Sequence, residues 1–304
     1  MLAIAVIATA AFGLAGDSGD SETQLGSRAS TVTELYPTVH FQDDVPYGPL
    51  DEERLDVCSP ATRSSLLQAD SPQARPAILS IHGGGWRAGD KQDAPWRDSC
   101  GWLASEGFVV FQVNYRLAPL HPFPAAIDDV NVALRWILDP RQVAAYNIDP
   151  TRVGAFGDSA GGNLAALLAT DGARQNVHLK AIAAVSAPMD LTEAGTRLGR
   201  LGDGFVQLQL DYLGCDFYSD CPHARQASPI YFLDPGDPPF LIVHATGDTL
   251  VPIEQAEAMR DALRSASVDV TFRPKSGSKH ALSLLDASVR SDIAKWFAMH
   301  LRGG

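Results

Sequence analysis

The stretch Val153-Gly154-Ala155-Phe156-Gly157-Asp158-Ser159-Ala160-Gly161-Gly162-Asn163 decides the fold. Val153 to Phe156 reads as a short strand covered on both faces, and Gly161 to Thr170 reads as a helix. Between them stands a serine with a glycine two residues to either side. A turn this sharp strains the backbone at its apex, and a Cβ at either glycine would collide with neighbouring elements. Ser159 is therefore held clear of the main chain, at the amino end of a helix whose free N–H groups and dipole favour negative charge. A lone Gly-x-Ser-x-Gly is common by chance. Its position between a strand and a helix is what makes it a candidate nucleophile.

Outward from this turn, from about residue 52, short β-branched runs alternate with longer helical stretches. That is the pattern of an α/β fold with a mostly parallel central sheet flanked by helices. The expected strands are Arg54 to Val57, Ala77 to Ile81, Val109 to Val113, Val153 to Phe156, Ala181 to Val185, Phe240 to His244 and Val268 to Phe272. The expected helices are Trp96 to Glu106, Ala125 to Leu138, Gly161 to Thr170, Glu254 to Ala266 and Ala287 to His300. Ile127, Val130, Leu134 and Ile137 recur at helical spacing, as do Val289, Ile293 and Trp296. The stretch 192–239 breaks the rhythm with glycines and prolines and reads as an insertion. Within it Phe205, Leu208 and Tyr212 fall on one helical face, which suits either a lid over a cleft or an ordinary surface helix.

The chain of 304 residues is 45% hydrophobic and 20% charged, which suits one packed domain, expected over 47–304. A net charge of −12 opposes nucleic acid and acidic membrane faces as partners. Residues 1–15 are apolar apart from Thr9 and read as a signal peptide, with 16–46 as a linker. The apolar run is too short for a permanent membrane span. The expected location is therefore extracellular, as a monomer or homodimer. Four cysteines in an exported chain suggest two disulfides. Three pairings are open; the short spacing of Cys215 and Cys221 favours joining those two, which leaves Cys58 to Cys100.

His82-Gly83-Gly84-Gly85-Trp86 follows an expected strand, where consecutive glycines let main-chain amides approach a substrate carbonyl. Together with the amide of Ala160 they would bind a developing oxyanion. His82 reads as a loop-orienting residue, and Trp86 as a pocket wall or a core residue. A nucleophilic serine needs a base and an orienting acid from later loops. His280, in a small-residue loop after the last strand, fits the base; His244 lies inside a strand and reads as a buried, hydrogen-bonded histidine. Asp248, just after the strand Phe240 to His244, fits the acid. Asp190 is the competitor, otherwise a loop cap, and Asp158 reads as a local hydrogen-bond partner. No metal or organic cofactor is required.

The set HGGGW at 82–86, NYRLAP at 114–119, GDSAGGN at 157–163, GDTLVP at 247–252 and KHAL at 279–282 resembles bacterial carboxylesterases of the α/β-hydrolase superfamily, particularly the hormone-sensitive-lipase-like branch. Gly89-Asp90-Lys91 is similar to feruloyl-esterase and kynurenine-formamidase-like relatives. The resemblance runs from about residue 47 to 300, and the cysteine-bearing segment around 215–221 departs from it. It implies Ser159, Asp248 and His280 as catalytic residues and the amides of Gly84, Gly85 and Ala160 as the oxyanion hole. The expectation is ester hydrolysis through an acyl-enzyme, with an amidase or formamidase as the rival and a silent binding protein as a distant third. Trp86, Phe205 and Tyr212 are the expected pocket wall, implying short or aromatic acyl groups.

Overall fold

A computed structural model describes residues 32–61, 73–170 and 179–302. The expected signal peptide and the first half of the linker lie outside them. The sheet has eight strands: β1 (Val39–Pro46), β2 (Arg54–Pro60), β3 (Arg75–Ile81), β4 (Val109–Val113), β5 (Ile148–Asp158), β6 (Ile182–Val185), β7 (Phe240–Ala245) and β8 (Val270–Lys275). Their order is β1-β2-β4-β3-β5-β6-β7-β8. β1 and β2 pair antiparallel, β2 runs antiparallel to β4, and every later pairing is parallel. This is the α/β-hydrolase fold: the alternation of strands and helices implied the mostly parallel sheet, and the motif resemblance implied the α/β-hydrolase superfamily.

The helices of seven residues or more among the described residues are α1 (Ala94–Ser105), α2 (Ala125–Ile137), α3 (Pro140–Tyr146), α4 (Ala160–Thr170), α5 (Asp203–Leu213), α6 (Ile253–Ser265) and α7 (Ala287–Arg302). The stripe Ile127, Val130, Leu134 and Ile137 of α2 is buried, and α7 buries Val289, Ile293, Trp296, Phe297 and Leu301. Each such side chain contributes about 1.5–3 kcal/mol relative to exposure. Both faces of the sheet are covered, so β4 is buried along its whole length. Every residue of α4 is buried as well, which places the helix behind Ser159 in the centre of the molecule. α3, which the periodicity did not reveal, is a short helix stopped by Asn147 in the left-handed region.

The linker expected over 16–46 needs correction at its end, because Val39–Pro46 is the edge strand β1. Asp43 and Asp44 give that segment the look of a loop. Their charges are met by residues distant in sequence: Arg97 lies 2.7 Å from Asp43 and Lys91 lies 3.2 Å from Asp44. Both cations also reach the buried Asp56, whose carboxyl is pushed up by burial despite them. A charge set of this kind is stable only while every member is present.

Two disulfides close, Cys58–Cys100 between β2 and α1, and Cys215–Cys221 just after α5. Among the described residues no helix is long and apolar enough to cross a membrane.

Candidate active site

The parallel strands end on one edge of the sheet, and their following loops meet there, as in other open α/β sheets. Ser159 follows β5 with φ of 49°, the left-handed strain that the turn requires. A Cβ at Gly157 would fall on the carbonyl of Gly161, and one at Gly161 on the carbonyl of Ile81. Glycine at both positions is therefore a steric requirement. The Ser159 amide donates to the Val185 carbonyl at 2.8 Å, tying the turn to β6.

His280 Nε2 lies 3.0 Å from Ser159 Oγ, and its Nδ1 lies 2.7 Å from Asp248 Oδ2. The carboxylate accepts the Nδ1 proton, which leaves the Nε2 lone pair facing the hydroxyl. Asp248 Oδ1 accepts the amides of Leu250 and Val251 at 3.0 and 3.1 Å. Its side chain is fully buried while that of His280 is 20% exposed, so the imidazole is reachable from solvent and the carboxylate is not.

The competing residues are engaged elsewhere. His244 Nε2 donates to the Val251 carbonyl at 2.7 Å, and burial lowers its pKa, so it is a neutral ring that closes the loop carrying Asp248. Asp190 accepts the amide and hydroxyl of Thr192 and the hydroxyl of Tyr231. That is a loop cap.

The glycine loop after β3 is held from behind. His82 is buried and stacks on Tyr115 at 4.4 Å, and Tyr115 donates to the His82 carbonyl. Burial lowers the His82 pKa to about 4, so a neutral ring donates from Nδ1 to the Gly83 carbonyl at 2.8 Å. Asp158 accepts Trp96 Nε1 at 2.8 Å, and burial raises its carboxyl to about 6. Gly84 offers its carbonyl to the amides of Arg87 and Ala88. Its own amide and that of Gly85 have no protein acceptor among the described residues.

The expected pocket wall of Trp86, Phe205 and Tyr212 is corrected. Their exposures are 0, 4 and 0%. Trp86 and Tyr212 stack on each other at 4.4 Å with Phe205 tilted beside them, so the three form a buried aromatic layer. Leu208, on the same face of α5, is the residue that meets Gly85 of the glycine loop. Leu208 is only partly buried, and a Cβ on Gly85 would strike its side chain. The helical spacing grouped Leu208 with the two aromatics; only packing separates the residue that faces the loop from those beneath it.

Residues 66–263 match the BD-FAE family model. Over 260 residues the chain is 30% identical to esterase LipQ of Mycobacterium tuberculosis, covering 82% of this chain and 58% of that protein. Over 108 residues it is 44% identical to arylacetamide deacetylase of Bos taurus, covering 35% of this chain and 27% of that one. The chain thus spans between about a quarter and three fifths of the length of these curated relatives. Among solved structures, a truncated carbohydrate esterase from gut microbiota superposes with a TM-score of 0.73 at 24% identity, covering 86% of this chain and 96% of that one.

Proposed function

Because the chain belongs to the BD-FAE family of α/β-hydrolases, we propose that it is a serine carboxylesterase in which Ser159, His280 and Asp248 act together. The observation that carries this reading is the continuous relay from hydroxyl to imidazole to carboxylate, at 3.0 and 2.7 Å. His280 takes the Ser159 proton as Oγ attacks the ester carbonyl. The imidazolium so formed is stabilised by Asp248. The tetrahedral oxyanion is received by the amides of Gly84, Gly85 and Ala160, each such donor being worth about 10²- to 10³-fold in rate. Collapse passes the proton from His280 to the departing alcohol and leaves an acyl-enzyme. Water, activated by the same histidine, then releases the acid.

Leu208, beside Gly85, restricts the space next to the reacting carbonyl, which favours short acyl groups. An amide substrate is the second reading, favoured by the arylacetamide deacetylase relative; the same relay would serve it with a poorer leaving group. Two disulfides fit an exported protein. The test is Ser159→Ala, assayed on p-nitrophenyl butyrate and on the matching anilide. Loss of turnover with an unchanged melting temperature is the expected result. Retained turnover excludes Ser159 as nucleophile, and the ratio of ester to anilide rates in the parent decides between the two substrate classes.

A further inference from the structure

We propose that Ser186 is a positioning residue that locks the histidine loop to the strands carrying the nucleophile and the acid. This inference rests on the serine-esterase reading above. β6 lies between β5, which ends at the nucleophile, and β7, which ends at the acid. Two consecutive residues at the end of β6 then join all three functional segments. The Val185 carbonyl accepts the Ser159 amide at 2.8 Å, and the Ser186 amide donates to the Val243 carbonyl of β7 at 2.9 Å. The Ser186 hydroxyl accepts the amide of Ala281, the residue that follows His280, at 3.0 Å.

Beyond its ring bonds to Asp248 and Ser159, His280 is held by a local turn in which its carbonyl accepts the Ser283 amide at 3.2 Å and the Ser283 hydroxyl at 2.5 Å. His280 lies between the end of β8 at Lys275 and the 3-10 turn Ala281–Leu284, outside any ladder. On the acid side the loop is tied by the Gly247 amide to the Gly277 carbonyl at 2.8 Å. On the nucleophile side its tie is Ser186. Ser186 is fully buried, so its hydroxyl is not a surface polar group that happens to touch a neighbour. It also holds a strained backbone, with φ of 51°, and its partner Ala281 has φ of 56°. Glycine would adopt such a conformation without strain, but glycine has no oxygen to offer. A strained residue kept where the acceptor is needed points to a placement function. That placement concerns the Nε2 to Oγ distance, because Ala281 is covalently adjacent to His280.

The experiment uses the full chain with Ser186→Ala and Ser186→Gly. It measures kcat and KM for p-nitrophenyl butyrate, the rate of Ser159 labelling by a fluorophosphonate, and the melting temperature. Both variants leave the Ala281 amide without its acceptor, while Ser186→Gly also relieves the backbone strain. Expected is a fall in kcat and in labelling rate of about 10- to 100-fold, the cost of ångström-scale misplacement of a catalytic group, with KM within about twofold. Ser186→Gly should show this loss while melting at or above the parent temperature. A kcat within about twofold of the parent in Ser186→Gly overturns the inference, as does a loss in Ser186→Ala that Ser186→Gly restores. An inactive parent sinks the esterase reading itself, a separate outcome.

Discussion

Replacing Asp248 by asparagine changes one oxygen to nitrogen, and the surrounding hydrogen bonds dictate where that nitrogen goes. Oδ1 accepts two backbone amides, from Leu250 and Val251. Turning an NH₂ group toward two N–H donors would set donor against donor, so the carboxamide oxygen keeps that place and the NH₂ faces His280. His280 Nδ1, now 2.7 Å from a donor, must present its lone pair. Its proton moves to Nε2, which then donates toward Ser159 Oγ instead of accepting from it. The base is present, correctly placed and in the wrong tautomer. Such an inversion costs about 10⁴-fold in kcat, which is roughly 5.5 kcal/mol at about 1.4 kcal/mol per tenfold. The fold should be little affected, because both backbone amides retain an acceptor. The assay is initial-rate hydrolysis of p-nitrophenyl butyrate at saturating substrate, with the melting temperature measured in parallel. A kcat within tenfold of the parent at unchanged melting temperature would refute the reasoning.

Three other outcomes follow from the packing and electrostatics. Leu208→Ala should extend the usable acyl chain with a minor stability cost, whereas Tyr212→Ala, which empties the buried aromatic layer, should cost about 3–5 kcal/mol by denaturant titration; an unchanged chain-length profile for Leu208→Ala counts against Leu208 as the wall. Asp158 holds its proton up to about pH 6 in the folded protein, well above its unfolded value, so its contribution to stability is present in acid and lost as pH rises through about 4 to 6. Asp158→Asn should therefore lose stability relative to the parent on going from pH 6.5 to 4, by on the order of 2–3 kcal/mol, and equal unfolding free-energy differences at the two pH values would contradict this. Removing Cys58–Cys100, which spans 42 residues, should destabilise by about 4 kcal/mol, against about 2 for Cys215–Cys221, which spans 6; urea midpoints of the two double-alanine variants give the comparison.

The strand, turn and helix around Ser159, the glycine loop at 83–85 and the alternation of strands with amphipathic helices were all written in short-range spacing. Such features depend on residues within a turn or two of one another, so the sequence alone determined the α/β class and the identity of the serine turn. It also singled out His280 and Asp248, because each lies in a loop after a late strand. Tertiary structure alone decided the rest. The bonds that bring His280 to Asp248 and to Ser159 cross 32 and 121 residues, distances over which periodicity carries no signal. β1 stayed hidden because Asp43 and Asp44 are neutralised by Lys91 and Arg97, which only folding brings near. Leu208 and Tyr212 share one helical face, and only the neighbour each one meets sets the first against Gly85 and the second in the core. Ser186 carries no motif; its position at the end of β6, between the strands that lead to Ser159 and Asp248, exists only in the assembled sheet.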